Sequence, residues 1–322
     1  MLLEIRHLTQ YHYAAPVRES VIELWVQPQK GGRQRLVSFE LEIEPSVQLF
    51  SYADAFGNAV YHFDVPQPHT HLSIQARSTV ETEPPETIPT ALDLGEWDRL
   101  DSDFLRGDCF DYLSPHGFAV STSTLDAFIQ NHQLDQVRAH DPLSAARSVC
   151  ETVYRALEYQ HGITRADSPI ELALAAGQGV CQDFAHIMIA ICRSWGIPAR
   201  YVSGYLFTDR SEGDRSDPDA THAWVEVFLP SLRWVGFDPT NNVMAGERHI
   251  VLATGRDYND VPPSRGVYKG DADSVLTVDV AVRQARHAAA EPEFMRTVRP
   301  AFSSPIRRRT PHELAQQMQQ QQ

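Results

Sequence analysis

Residues 177–186 read Gly-Gln-Gly-Val-Cys-Gln-Asp-Phe-Ala-His, and this stretch takes the chain from a glycine-rich turn into a strongly helical segment. Cys181 stands at the predicted start of that helix. The first turn of a helix leaves N–H groups unpaired and carries about half a positive charge, so a thiol there is favoured in its thiolate form. The thiolate is the form that attacks carbonyl carbon. Cys181 is therefore a candidate nucleophile.

The segments around this helix predict the class of fold. The helix that follows Cys181 is apolar on most of its sides, which is typical of a helix buried in the middle of a domain. Three strand-like runs come after it, Arg200 to Phe207, Thr221 to Leu229 and Arg233 to Phe237. Helices followed by an antiparallel sheet predict an α+β core, which we place over residues 141–285.

The rest of the chain divides into three predicted parts. Residues 1–85 hold short β-type runs separated by turn residues such as Asp54 to Asn58, and this spacing predicts a small β-sandwich-like domain. A scaffold role for this domain is favoured over ligand binding. Residues 86–140 open with a proline-rich break and are predicted to be a linker with short helices. Residues 286–322 lose periodicity and end in glutamine repeats, which is typical of a disordered tail.

Composition limits the possible partners. The formal net charge of −14 argues against nucleic acid, because phosphate binding needs a basic surface. No apolar run is long enough to span a membrane, and the start of the chain lacks the pattern of a signal peptide. The four cysteines are too few for a disulfide scaffold and fit a reducing compartment. We therefore expect a cytoplasmic protein with neither nucleic acid nor a membrane as partner.

His222 and Asp238 are candidates for the base and the group that orients it. The two residues flank Pro230 symmetrically. If a short loop centred on Pro230 joins the last two strands, His222 and Asp238 lie directly opposite each other, with Cβ atoms ~4.5–5.5 Å apart. The carboxylate can then accept the imidazole N–H and turn the other ring nitrogen toward the thiol. A slip of one residue would put the two side chains on opposite faces.

Each of the three residues also has an ordinary structural explanation. A buried cysteine can serve as a small apolar residue, one histidine among 14 means little, and Asp before Pro is a common turn element. Together, a cysteine at a glycine-preceded helix start and a His–Asp pair across a hairpin are much less expected by chance. The combination favours catalysis.

A zinc site formed by Cys181, His186 and Cys192 is excluded by helix geometry. With 3.6 residues per turn, the first two side chains point about 140° apart, and the two cysteines are ~16 Å apart along the axis. Zinc requires ligands at ~2.0–2.3 Å. No metal and no cofactor is predicted.

Several separated segments resemble the bacterial transglutaminase-like superfamily. They are residues 179–186, 196–205, 222–227, 237–241 and 249–261. The N-terminal portion, including Asp54 to Asn58, is similar to the β domain that precedes this core in many members. The resemblance implies a papain-like core in which Cys181 is the nucleophile, His222 is base and then acid, and Asp238 is the orienting carboxylate. Members of this superfamily include transglutaminases, proteases and amidases.

The expected activity is that of a cysteine-dependent amide hydrolase or acyltransferase, acting through a thioester on a peptide or protein amide. Hydrolysis is favoured over protein-glutamine amine transfer, and a non-catalytic binding protein that keeps the fold is a further alternative. The backbone N–H of Cys181 is a candidate oxyanion donor, and Gln178 is a candidate for the second donor. Trp224 could line the substrate cleft, shield the triad from water or serve only in packing, and Asp257 and Tyr258 could border the cleft. The sequence leaves the oligomeric state open.

Overall fold

A strand-rich region and a core of helices packed on an antiparallel sheet make up the part of the chain described by the computed structural model, residues 1–164, 168–208, 214–216 and 220–285. The predicted tail, residues 286–322, lies outside this part. No helix among the described residues is long and apolar enough to cross a membrane. The predicted α+β class is confirmed.

The strand-rich region is organised around one long strand, β1, at the centre of a seven-stranded sheet. The first half of β1 pairs with β5 and β14, and its second half pairs with β4 and β13. Apolar side chains enclosed by these strands form a separate core that includes Val17, Phe63 and Leu72. The strands are β1 (Leu2–Leu24), β2 (Gln34–Glu44), β3 (Phe50–Ala53), β4 (Ala59–Val65), β5 (His69–Thr82), β13 (Ser264–Lys269) and β14 (Ser274–Gln284).

The assignment of residues 264–284 differs from the prediction. The sequence analysis placed them in the core over residues 141–285, yet β13 and β14 both pair with β1. Val280 of β14 packs with Leu3 and Ile5 of β1 in one buried cluster. The partner of a strand depends on such long-range contacts, which the local pattern of residues does not report.

The core contains seven helices and seven strands in the described residues. The segment predicted as a linker holds short helices, and its Trp97, Leu100 and Leu125 are buried in the main hydrophobic cluster. The helices are α1 (Glu96–Leu100), α2 (Asp103–Asp108), α3 (Phe110–Leu113), α4 (Ser123–Asn131), α5 (Pro142–Ala156), α6 (Ile170–Ala176) and α7 (Cys181–Ser194), with short 3-10 helices over Leu134–Ala139 and Tyr258–Asp260. The strands are β6 (Glu158–Tyr159), β7 (Gln178–Gly179), β8 (Ala199–Leu206), β9 (His222–Leu229), β10 (Arg233–Asp238), β11 (Val243–Met244) and β12 (His249–Gly255).

Helix α7 lies against one face of the five-stranded sheet, whose order is β11-β10-β9-β8-β12. Tyr201, Val225 and Phe237 are buried in the same cluster as the apolar residues of α7. Because side chains alternate along a strand, Trp224 and Asp238 belong to the other face. Helix α7 therefore covers one face of the sheet, and Trp224 and Asp238 lie on the other.

Two side-chain amides join the strand-rich region to the edge strand β12. Gln34 donates to the carbonyl of Val251 and accepts its N–H, each at 2.9 Å. Asn58 donates to the carbonyl of Thr254 at 2.9 Å and accepts its N–H at 2.8 Å. Each amide thus satisfies both backbone groups of one residue, as a neighbouring strand would, and this covers a sheet edge that would otherwise be unpaired.

Candidate active site

Cys181 is the first residue of α7, and its side chain lies in a cleft of about 170 Å³. The residue is 9% exposed. No hydrogen bond to its backbone N–H is found among the described residues, as expected for the first turn of a helix. The remaining walls of the cleft include Tyr159, His161, Gln182, Tyr201, Tyr258 and Pro263.

The glycine-rich turn allows α7 to begin at Cys181. Gly177 ends α6 in the left-handed region, with φ of 64°. The carboxylate of Asp183 then folds back and accepts the N–H of Val180 at 2.8 Å, which caps the helix. A Cβ on Gly179 would lie 2.8 Å from an oxygen of that carboxylate. Glycine at this position is therefore required for the cap that fixes the thiol.

The hairpin of β9 and β10 has a different register from the one predicted. Leu229 pairs with Arg233, so the loop is centred on Ser231 and not on Pro230. The N–H of Leu232 donates to the carbonyl of Leu229 at 2.9 Å, and Arg233 adopts a φ of +64°. A tight turn followed by a left-handed residue is the usual form of a three-residue hairpin loop.

The observed register differs from the predicted one by two residues, and this difference leaves His222 and Asp238 on the same face of the sheet. Phe237 pairs with Val225, so Asp238 follows opposite Trp224, and His222 lies diagonally across from Asp238. The Nε2 atom of His222 is 2.8 Å from Oδ2 of Asp238. The predicted contact between the imidazole and the carboxylate is present, although the residues are not directly opposed.

The buried His–Asp pair strongly favours a protonated imidazole. Burial disfavours the charged ring, but the charge and hydrogen bond of Asp238, with a smaller contribution from Cys181, raise the pKa of His222 to about 10. Burial alone would raise the pKa of Asp238, whereas His222 holds it well below its usual range. Because Nε2 bonds to the carboxylate, Nδ1 is the ring nitrogen left for the thiol.

Asp238 has further partners that the sequence analysis missed. Its Oδ1 accepts the N–H groups of Thr240 at 3.0 Å and Asn241 at 3.2 Å. Its Oδ2 also accepts from Nδ2 of Asn241 at 2.7 Å and from Nε2 of His249 at 3.2 Å. The Asp-Pro-Thr-Asn turn could have suggested Asn241. No local signal identifies His249, which comes from another strand.

Two groups of ligand-type atoms in the described part of the chain are close enough to share a metal ion. They are His222–Asp238–His249 and His116–Asp257–Asp260. In the group around Asp238, both imidazoles direct Nε2 at the carboxylate. In the group around Asp257 and Asp260, the guanidinium of Arg256 binds both carboxylate oxygens of Asp260. Hydrogen bonds and an ion pair therefore account for both groups without a metal.

The two candidate substrate-binding residues lie away from the thiol. Trp224, which is 1% exposed, stacks beside His222 with ring centroids 6.0 Å apart. It faces a separate cavity of about 510 Å³ at the strand-rich region. Gln178 donates to Glu158 at 3.2 Å and is not among the described residues that line the cleft. Gln182 and Tyr258 do line the cleft.

The other cysteines are placed differently from Cys181. Burial raises the pKa of Cys192 to about 12 and that of Cys150 further still. Burial also raises the pKa of Cys109. Among the described residues, none of these three lines the cleft that holds His222.

Sequence families support the two-part organisation. The family described as "Bacterial transglutaminase-like N-terminal region" matches residues 3–81, and the "Transglutaminase-like superfamily" matches residues 132–239. An uncharacterized protein of Mycobacterium tuberculosis is 34% identical over 294 residues, which cover 86% of this chain and 91% of the relative. An uncharacterized protein of Mycobacterium leprae is 32% identical over 281 residues, covering 87% and 98%.

One solved structure is similar in fold, and one further relative is similar in sequence over a third of the chain. A crystal structure described as "a Putative Cysteine Protease from Cytophaga hutchinsonii" superimposes with a TM-score of 0.68, at 23% identity, and covers 89% of this chain and 92% of that one. A protein-glutamine gamma-glutamyltransferase of Pseudomonas aeruginosa is 33% identical over 122 residues, or 33% of this chain and 17% of that protein. The families, the relatives and the fold agree with the predicted resemblance: the chain belongs to the transglutaminase-like superfamily.

Proposed function

We propose that the protein is a cysteine-dependent amide hydrolase or acyltransferase that acts through a thioester on Cys181. One observation carries the proposal. Cys181 and His222 line the same cleft, and Nε2 of His222 bonds to the buried carboxylate of Asp238. A nucleophile, a base and a group that orients the base are the parts of an activated thiol.

The proposed attack starts with His222 in its protonated form. The pKa of His222, raised to about 10, keeps the imidazole protonated at neutral pH, and the Asp238 carboxylate balances its charge. The sulfur of Cys181 lies at the first turn of α7, where the helix terminus favours a developing negative charge.

The acylation step uses each of these groups. The sulfur of Cys181 attacks the amide carbonyl carbon, and a C–S bond forms while the carbonyl oxygen becomes negative. The backbone N–H of Cys181, for which no partner is found among the described residues, stabilises this oxyanion. His222 then gives its proton to the amide nitrogen, the C–N bond breaks, and the amine leaves. The product on the enzyme is a thioester.

The deacylation step distinguishes a hydrolase from a transferase. Neutral His222 takes a proton from water, whose oxygen attacks the thioester, and the acid is released as the C–S bond breaks. A primary amine in place of water would give a new amide. We favour water as the acceptor, and the partial similarity to a gamma-glutamyltransferase supports amine transfer as the second candidate.

A three-way assay tests the proposal. Wild-type protein and Cys181→Ala are incubated with glutamine-containing peptides and, separately, with dimethylated casein and a fluorescent primary amine. Mass spectrometry detects cleavage and deamidation, and in-gel fluorescence detects amine transfer. We expect cleavage or deamidation by the wild type and neither by Cys181→Ala. Amine incorporation without hydrolysis would select the transferase, and equal behaviour of the two proteins would refute the proposal.

A further inference from the structure

His249 makes a second histidine contact with the carboxylate of Asp238. Its Nδ1 is 3.2 Å from the backbone N–H of Gly246 and accepts that hydrogen bond. The ring proton must therefore be on Nε2, which donates to Oδ2 of Asp238 at 3.2 Å. The backbone N–H of Gly246 thus fixes the tautomer of this imidazole.

The surroundings of His249 favour its neutral form. Burial lowers the pKa of His249, and a protonated ring would direct Nδ1–H against the N–H of Gly246. The charged groups that face it are Asp238 on β10, His222 on β9 and the neighbouring Arg248, while Trp224 packs edge-on at 5.1 Å. His249 therefore donates a hydrogen bond to Asp238 without adding a positive charge beside His222.

The location of His249 depends on the strand-rich region. The segment Ala245–Arg248, which we call the strap, leads into β12 at His249. The hydroxyl of Thr82 donates to the carbonyl of Glu247 at 2.6 Å, and the N-terminal amine lies 3.4 Å from the side chain of Glu247. Gln34 fixes Val251 two residues beyond His249. Contacts from the strand-rich region thus hold the chain on both sides of the imidazole.

We propose that His249 is a positioning residue, which keeps Oδ2 of Asp238 directed at His222 and is itself held by the strand-rich region through the strap. Oδ2 is shared by His222, Asn241 and His249. Three donors around one oxygen restrict the rotation of the carboxylate, and loss of one leaves the group freer to turn. The inference rests on the proposed function, because it concerns the same Asp238.

The test measures the reactivity of Cys181 with iodoacetamide, a small neutral reagent that needs no substrate site. His249→Phe keeps the ring shape but removes the donor, whereas His249→Gln can keep an N–H near the position of Nε2. We expect His249→Phe to slow alkylation of Cys181 about tenfold and His249→Gln to restore most of the rate. With a peptide substrate, the loss should appear in kcat with little change in KM.

Two further variants separate positioning from stability. Thr82→Val removes the hydrogen bond to the carbonyl of Glu247, at a distance from the triad. It should also slow alkylation of Cys181, but less than His249→Phe does. Leu72→Ala removes a buried side chain from the separate core of the strand-rich region. It should lower the melting temperature while the alkylation rate remains that of the wild type. Should His249→Phe fail to fold, His249→Gln and Thr82→Val decide the question.

The outcomes distinguish this inference from the proposed function. His222→Gln is included as a reference. If it slows alkylation strongly while His249→Phe and Thr82→Val do not, the positioning role is refuted and the proposed function stands. Equal losses for His249→Phe and His249→Gln would also refute the hydrogen bond as the cause. If His222→Gln itself has no effect, the proposed function fails.

Discussion

His222 and Asp238 are joined by a hydrogen bond across a diagonal of the β9–β10 hairpin, with 2.8 Å between Nε2 and Oδ2. Diagonal positions are ≈ 7–8 Å apart, farther than opposed ones. Because Nε2 is the ring nitrogen farther from Cβ, this longer span suits Nε2, and Nδ1 is left facing the thiol. An opposed pair would favour the nearer nitrogen. The register of the hairpin thus decides which nitrogen faces Cys181.

Selective alkylation should identify Cys181 among the four cysteines. It lies in the cleft beside His222, whereas burial raises the pKa of Cys109, Cys150 and Cys192. We expect iodoacetamide at neutral pH to label Cys181 at least about tenfold faster than the others. Peptide mapping after timed labelling gives the rates, and Cys181→Ser serves as control. Similar rates at all four sites would contradict the proposed thiolate.

Asp238→Asn should reduce activity by about 100-fold or more. An amide keeps the shape of the side chain but removes the charge that supports protonated His222 and can hold the imidazole in the wrong tautomer. The measurement is kcat with a cleaved or deamidated peptide. Asp141→Asn, which changes a helix cap on α5, is the matched control and should retain activity. An active Asp238→Asn protein would remove Asp238 from the triad.

The stabilisation from His222 should depend on pH in a defined window. Its pKa is raised from 6.5 to about 10, so its contribution is complete below about 6.5 and is lost as pH rises through about 10. Asp238 has a lowered pKa, so its contribution is present above 3.8 and decreases as pH falls below that value. We expect the difference in melting temperature between wild type and His222→Gln to be largest between about pH 4.5 and 6.5 and to shrink toward pH 10. A difference that grows with pH would contradict the charged pair.

Gln182→Ala and Gln178→Ala should differ in activity. Gln182 lines the cleft beside Cys181, whereas the side chain of Gln178 bonds to Glu158. If the amide of Gln182 helps to bind the oxyanion, its removal should lower kcat by about 10-fold or more, while Gln178→Ala remains active. Steady-state kinetics on both variants provides the comparison. The opposite ranking would restore Gln178 as the second donor.

Sequence reasoning was most successful where the cause is local. Gly177 and Gly179 permit the turn and the cap that place Cys181 at the start of α7, and these requirements are visible in residue types alone. Strand periodicity also placed His222 and Asp238 on one face, because a shift of two residues preserves the face. The family resemblance and the α+β class are confirmed. The cytoplasmic location and the acyl acceptor stay predictions.

Only the tertiary structure decided the register, the partners of Asp238 and the role of the C-terminal strands. The hairpin turn uses Arg233 in the left-handed region, although arginine rarely adopts a positive φ. The sequence analysis therefore centred the loop on Pro230, whereas the structure centres it on Ser231. His249 reaches Asp238 because contacts from the strand-rich region hold the strap. The contact of His249 and the pairing of the C-terminal strands depend on residues distant in sequence, and their energies arise from packing and buried hydrogen bonds formed only in the folded chain. The sequence therefore determined which groups could react, and the tertiary structure determined how those groups are oriented.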